Sequence, residues 1–118
     1  MKPSKVLKES DIEREVCLYA KHNEMGAYKF TSPMRAAVPD RILLSEIPEH
    51  LREIIARYIR FIEFKRPGEK PTAAQTREHL RLRAMGFTVE VIDDIAEGEC
   101  VVDEMLLERG NHDNILTN

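Results

Sequence analysis

The alternation of apolar and polar residues along the chain predicts an ordered series of helices and strands. Apolar positions spaced as on one helix face follow Ser10, and Ser10 with Glu13 forms a capping-box pattern. The first helix is therefore expected to begin at Ser10 and to stop at Gly26, which can adopt a positive φ. Short runs rich in β-branched and aromatic residues predict strands at 27–31, 40–44, 58–65 and 87–92.

Three further helices are predicted between and after these strands. Pro48 suits the first turn of a short helix that ends near Ala56 or Arg57. Thr72 and Gln75 form a second capping box, which opens a helix closed by Gly86. Residues 96–109 can form a last helix. The order αββ(α)βαβα predicts an α/β fold, with a small mixed β-sheet flanked by helices.

The length and the residue usage limit the class of protein. The 118 residues are expected to form a single domain over 1–118, with a core at about 9–98. A helical insertion is expected at 45–57 and a C-terminal tail at 111–118. The two cysteines and four histidines lack the spacing of a disulfide framework or a zinc site. No apolar stretch is long enough for a membrane span, so a cytoplasmic protein is expected.

Charge is divided unevenly along the chain. The net charge of −3 argues against a protein that coats nucleic acid by bulk charge. Residues 52–83, however, carry nine Lys/Arg and four Asp/Glu, a net charge of +5, whereas residues 84–118 carry a net charge of −8. The basic segment is interpreted either as a DNA phosphate-binding surface or as an ordinary solvated helix face. Its candidate DNA contacts are Arg66, Lys70, Arg77 and Arg81.

Three charged residues at predicted strand ends suggest phosphodiester hydrolysis. Glu63 and Lys65 lie two apart on one strand and so project from the same face. Asp40 begins the strand at 40–44, and it would lie at the same sheet end as Lys65 if the two strands were antiparallel neighbours. Two carboxylates there would suit Mg²⁺ or Mn²⁺, and Lys65 could hold the attacking water or the phosphate. A Glu-x-Lys alone is more often only an edge-strand charge pair.

The motif string resembles a known nuclease family. Glu13, Pro39-Asp40, Glu63-Phe64-Lys65 and Gln75 stand in the order of the PD-(D/E)xK nuclease superfamily. The fuller strings at 38–41 and 62–75, with 86–89, closely resemble the VRR-NUC branch, the virus-type replication-repair nucleases. The resemblance spans about residues 9–98 and implies a restriction-endonuclease-like core. Members of this branch often have a short turn where this chain has the segment 45–57.

The resemblance also implies a set of site residues. Asp40, Glu63 and the backbone carbonyl of Phe64 would bind the metal directly, and Glu13 would bind it through a water. Lys65 would be catalytic, and Gln75 would line the site from its helix. Glu13 and Gln75 also have the alternative explanation that each completes a capping box. Glu9, one helical turn earlier, is the alternative to Glu13 as the active-site acid of the first helix.

The implied function is a Mg²⁺- or Mn²⁺-dependent, structure-selective DNA endonuclease of phage or prophage type, acting in the bacterial or phage-infected host cytoplasm. Standalone members of the branch look like homodimers that cut branched DNA, so a Holliday-junction resolvase-like enzyme is expected. A flap or nicking nuclease on the same site, or a catalytically silent DNA-binding module, are the alternatives. The dimer interface is expected on one of two apolar surfaces, Leu51, Ile54, Ile55 and Tyr58, or Val101, Met105 and Leu106.

Overall fold

The computed structural model describes residues 6–31 and 37–109, and the chain divides into two compact units, residues 1–45 and 46–118. Each unit is described on its own. The predicted tail at 111–118 lies outside the described residues, and the single domain stays a prediction. Within the described part of the chain, no helix combines the length and the apolar character that crossing a membrane requires.

The first unit is a helix followed by a two-stranded antiparallel sheet. Helix α1 spans Glu9–His22, strand β1 spans Gly26–Lys29, and strand β2 spans Arg41–Leu44. Gly26 lies opposite Leu44 and Lys29 lies opposite Arg41. The backbone N–H of Phe30 donates to the carbonyl of Asp40 at 2.9 Å, so the pairing continues one step past the strand ends. The predicted order of helix, strand and strand is confirmed.

The predicted ends of the first helix are wrong in detail. Lys8 is the N-cap residue, and its backbone N–H donates to Oδ2 of Asp11 at 3.2 Å, so Ser10 lies inside the helix. At the other end Glu24 has φ +60°, and the N–H of Met25 donates to the carbonyl of Ala20 at 3.0 Å. The helix therefore ends before Gly26, which instead begins β1.

The second unit is built around a β-α-β arrangement. Strand β3 at Phe61–Phe64 and strand β4 at Val89–Ile92 are parallel, with Phe61 opposite Val89 and Phe64 opposite Ile92. The helices of this unit are a 3₁₀ turn at Glu49–Leu51, α2 at Arg52–Ala56, α3 at Ala73–Ala84 and α4 at Ile95–Arg109. Parallel neighbours need a crossover connection, and the helix in that connection is α3.

Both predicted strands of this unit begin too early. The N–H groups of Tyr58 and Ile59 donate to the carbonyl of Ile55, so these residues complete the exit of α2 rather than β3. Gly86 has φ +98°, and the N–H of Phe87 donates to the carbonyl of Leu82 at 3.0 Å. Phe87 therefore belongs to the C-terminal cap of α3.

Over residues 6–31 and 37–109, two small sheets stand where the sequence predicts a single mixed sheet. Strand 41–44 pairs with 26–29, and strand 61–64 pairs with 89–92, each forming a two-stranded sheet. The expected antiparallel pairing of 40–44 with 58–65 is not one of these ladders. Each strand pairs with a strand of its own unit, and strands that follow each other in sequence commonly pair in this way. The α/β class is confirmed, whereas the restriction-endonuclease-like core stays an expectation.

The core of the second unit includes the segment expected as an insertion. Phe61 and Phe87 make an edge-to-face contact, with ring centroids 5.6 Å apart. Ile47 is buried, and its N–H donates to the carbonyl of Met85 at 2.8 Å. Nε of Arg52 donates to the carbonyl of Ile47 at 2.9 Å. The segment 45–57 is therefore helical in part, as predicted, and it is bonded to the end of α3.

Candidate active site

The carboxylate of Glu63 is the best-defined polar feature of the second unit. Glu63 lies on β3, and two side chains of the crossover helix α3 contact it. Nε2 of Gln75 donates to Oε2 at 3.3 Å, and Nε2 of His79 lies 3.1 Å from Oε1. Both carboxylate oxygens are therefore hydrogen-bonded, and the group is held by one helix.

Gln75 serves the helix and the carboxylate together. Its backbone N–H donates to Oγ1 of Thr72 at 3.1 Å, and its Oε1 accepts from the N–H of Thr72 at 3.0 Å. This confirms the predicted capping box. The capping box does not use the side-chain amide nitrogen of Gln75, and this nitrogen donates to Glu63. The two explanations of Gln75 are therefore compatible, and its catalytic role stays a prediction.

His79 is the residue that sequence reasoning missed. Taken as a whole residue it is 6% exposed, less than any other polar or charged residue among the described positions. The spacing of the four histidines excludes a zinc site but says nothing about a single histidine on a helix face. The signal that could have found His79 is its position four residues after Gln75, because positions i and i+4 share one face of a helix. A face that carries Gln75 therefore presents His79 to the same strand.

Lys65 directly follows β3 and is largely shielded from solvent. Its backbone N–H donates to the carbonyl of Ile92 at 2.9 Å, which fixes the chain at the end of the parallel pair. The side chain is 11% exposed, and Nζ lies 3.8 Å from Oε1 of Glu69. Lys65 and Phe64 line a cavity of about 700 Å³, and Phe64 is 72% exposed. The lysine therefore has a weak ionic partner and an open space beside it.

The loop after Lys65 is tied back to the sheet. Gly68 has φ +83°, a conformation that favours glycine, and its N–H donates to Oδ2 of Asp93 at 2.9 Å. Asp93 directly follows β4. The loop therefore holds a defined position beside the carboxyl ends of the two parallel strands, where Glu63 and Lys65 lie.

The four candidate DNA-binding residues are all exposed, but they differ in their partners. Arg66, Lys70 and Arg77 make no ion pair with another described residue, whereas Arg81 is paired with Glu78. Arg83 on the same helix donates to the carbonyl of Val89 at 2.8 Å and so serves the fold. Three exposed cations without an ion pair among the described residues suit phosphate contacts, and DNA binding stays a prediction.

The first unit brings Glu13 next to β2. NH2 of Arg41 donates to Oε1 of Glu13 at 3.3 Å, and NH1 donates to the carbonyl of Ala27 at 3.3 Å. The pKa of Arg41 is raised, foremost by the hydrogen bond to Glu13, and the charge of Asp40 also contributes. Glu13 and the neighbouring Asp40 therefore act on one guanidinium. Because Lys8 and Asp11 form the cap, the capping explanation of Glu13 is wrong.

The predicted metal ligands belong to different units. Asp40 and Glu13 lie in residues 1–45, whereas Glu63 and Phe64 lie in residues 46–118, and the approach of Asp40 to Glu63 stays a prediction. Over residues 6–31 and 37–109 there is no group of three or more His, Cys, Asp or Glu placed to hold a metal ion. The donor types themselves are carboxylate and carbonyl oxygens, which are the ligands of Mg²⁺ and Mn²⁺.

An α/β chain with a held carboxylate and a shielded lysine at the end of a parallel strand has the residue types of a phosphodiester hydrolase. Comparison with known proteins agrees with this class. The chain is 42% identical over 89 residues to "Putative nuclease p44" of Acyrthosiphon pisum secondary endosymbiont phage 1. The aligned region covers 75% of this chain and 86% of the relative. The chain belongs to the family of this phage nuclease.

Two further comparisons gave no match. No family model matches the chain, and no solved structure matches it. Membership of the VRR-NUC branch and of the PD-(D/E)xK superfamily therefore remains the interpretation that the motif string suggests.

Proposed function

We propose that this protein is a metal-dependent nuclease that hydrolyses phosphodiester bonds in DNA, and that it cuts branched structures such as four-way junctions. The observation that carries the proposal is the Glu63 carboxylate, held on both oxygens at the end of a parallel strand and followed by Lys65. The 42% identity to a phage protein named as a nuclease supports the same reaction class.

Lys65 supplies positive charge to the reaction. Attack on a phosphodiester builds negative charge on the phosphoryl oxygens, and a cation nearby stabilises that state. With 11% exposure, the Lys65 side chain is shielded from bulk water, which strengthens its electrostatic effect. The 3.8 Å separation from Glu69 is loose, so a phosphate oxygen can compete for the ammonium group.

The carboxylates would hold the metal ion in this proposal. Asp40, Glu63 and the Phe64 carbonyl would bind Mg²⁺ or Mn²⁺ directly, and Glu13 would act through a water. A metal held there would supply a water of lowered pKa and would neutralise phosphoryl charge. The hydrogen bonds from Gln75 and His79 leave this role open, because each carboxylate oxygen can accept at more than one position.

The substrate surface and the assembly are part of the proposal. Arg66, Lys70, Arg77 and Arg81 contact backbone phosphates, so binding weakens as salt is raised. The chain forms a homodimer, because two symmetric cuts in a junction need two active sites. The two apolar surfaces expected as alternative interfaces contribute to one groove of about 300 Å³, lined by Arg57, Tyr58, Val102, Met105 and Leu106. Light scattering at several concentrations measures the dimer.

Cleavage assays test the function. Labelled four-way junction, flap and plain duplex are incubated with Mg²⁺, with Mn²⁺ and with EDTA. Metal-dependent cutting of the junction in preference to duplex is expected. Preferred cutting of the flap, or single nicks, would favour the flap or nicking nuclease. DNA binding without cleavage in either metal would favour a silent binding module, and equal cutting of all three would contradict structure selectivity.

A further inference from the structure

We infer that His79 is a positioning residue, which orients the Glu63 carboxylate for metal binding; this inference rests on the proposed function. His79 lies on α3, four residues after Gln75, and its Nε2 is 3.1 Å from Oε1 of Glu63. The His79 side chain is 8% exposed, whereas that of Glu63 is 28% exposed. The histidine is thus enclosed and the carboxylate opens toward solvent.

The chemistry of the pair assigns the donor. An ionised carboxylate only accepts hydrogen bonds, so Nε2 of His79 carries the proton and donates to Oε1. A buried ring nitrogen without a partner would be costly, and Glu63 supplies that partner. The bond therefore satisfies His79 and restrains Glu63 at the same time.

Two hydrogen-bond donors on one helix restrain the Glu63 carboxylate more completely than a single donor does. A single hydrogen bond from Gln75 to Oε2 leaves the carboxylate free to rotate about that contact. The second bond, from His79 to Oε1, fixes the plane of the group as well. The rigid imidazole ring sits in the core face of α3, beside buried Leu82. A ligand that is oriented beforehand loses less freedom when it binds a cation, which is why partners behind metal ligands affect affinity.

Mn²⁺ binding to the whole protein tests this role without any DNA. Isothermal titration compares the wild type with His79→Asn, whose amide ends about one bond short of Glu63, and with His79→Gln, whose amide reaches the position of Nε2. His79→Asn is expected to weaken Mn²⁺ binding about tenfold, and His79→Gln to restore most of it. Leu82→Ala is the control, because it creates a cavity in the same helix face without removing a donor to Glu63.

Each result has a defined meaning. Weaker binding in His79→Asn alone, with rescue by His79→Gln and normal affinity in Leu82→Ala, supports the positioning role. Equal Mn²⁺ affinity in the wild type and His79→Asn, or an equal loss in Leu82→Ala, would overturn it. If the wild type itself binds no Mn²⁺, the metal-dependent function fails and the role of His79 fails with it. Long-range ¹H–¹⁵N NMR of the metal-free protein adds a second readout, since a ring protonated only on Nδ1 would also contradict the donor assignment.

Discussion

Glu13 illustrates how one wrongly assigned cap changes the interpretation of a residue. With Ser10 as N-cap, Glu13 would have had a sufficient structural role at the start of α1. The cap is formed by Lys8 and Asp11 instead, and Glu13 pairs with Arg41 beside Asp40. Glu9 is exposed at the first residue of the helix and has no contact of this kind among the described residues. Glu13 as the acid that accompanies Asp40 stays a prediction, and its contact with Arg41 is the observation that supports it over Glu9.

Neutralising Glu13 and Glu9 one at a time distinguishes their roles in DNA cleavage. We expect Glu13→Gln to lower the rate of DNA cleavage at least about tenfold, because it removes a negative charge from the proposed metal site. Glu9→Gln is the matched control, and it should cut at the wild-type rate. Single-turnover assays in Mg²⁺ measure both. A slow Glu9→Gln with a normal Glu13→Gln would reverse the assignment.

The two roles of Gln75 can be separated in the same way. Gln75→Glu keeps an acceptor for the N–H of Thr72, so the capping box survives, but it replaces the donor to Glu63 with a like charge. We expect little loss of helix content by circular dichroism and a cleavage rate at least about tenfold lower. A wild-type cleavage rate in this variant would restrict Gln75 to its capping role.

At the level of elements, glycines at positive φ close two turns of the second unit. Gly86 has φ +98° at the end of α3, and Gly68 has φ +83° in the loop after Lys65. A Cβ at Gly86 would come within 2.5 Å of Nε of Arg52, whereas a Cβ at Gly68 would meet nothing within 4 Å. Nε of Arg52 is held by the carbonyl of Ile47, so it cannot move without losing a hydrogen bond.

Alanine substitution at the two glycines should therefore lower the free energy of unfolding by different amounts. Gly68→Ala is expected to lower the free energy of unfolding by about 1 kcal/mol, for the backbone conformation alone. Gly86→Ala adds the lost bond of Arg52, for a total of about 2 kcal/mol or more. Urea denaturation measures both. Equal losses in the two variants would contradict the packing of Arg52 against the end of α3.

The sequence predicted the interiors of elements well and their ends and partners poorly. Apolar spacing and capping patterns were enough for α3 and for the apolar run of β3. Tyr58, however, has a side chain typical of strands and still lies in the turn that ends α2, because its backbone N–H donates to the carbonyl of Ile55. The pairing of 41–44 with 26–29 likewise depends on contacts that no local pattern encodes.

The candidate site shows the same division. The resemblance of the motif string named Glu63, Lys65 and Gln75, and the structure brings Gln75 into contact with Glu63. His79 was missed, since its role depends on burial against a neighbouring strand rather than on a sequence pattern.

Over the whole molecule, the basic and acidic segments meet at one buried arginine. Arg60 belongs to the basic segment, and its side chain is 6% exposed. Its NH1 lies 3.3 Å from Glu104, its NH2 lies 3.0 Å from Glu108, and Glu90 is 3.7 Å away. Burial lowers the pKa of Arg60, but the hydrogen bond and charge of Glu104 and the charges of Glu108 and Glu90 raise it overall. Part of the −8 charge of residues 84–118 therefore serves to hold α4 in place.

Removing this arginine should loosen α4 without touching the site residues. Arg60→Leu is expected to lower the free energy of unfolding by about 2 kcal/mol, because three glutamates lose their common partner. Arg57→Leu is the control, since Arg57 makes no ion pair with another described residue. Urea denaturation and hydrogen exchange across 95–109 measure the effect. Equal stability in the two variants would show that the network contributes little.

The most direct test of the proposed nuclease is cleavage of a labelled four-way junction by Lys65→Ala in Mg²⁺ and Mn²⁺. The matched control is Glu69→Gln, which removes the partner of Lys65 but leaves its ammonium group. We predict that Lys65→Ala abolishes cleavage in both metals while it folds normally and still binds the junction, and that Glu69→Gln remains active. Wild-type cleavage by Lys65→Ala would contradict the assignment of the active site to the end of β3.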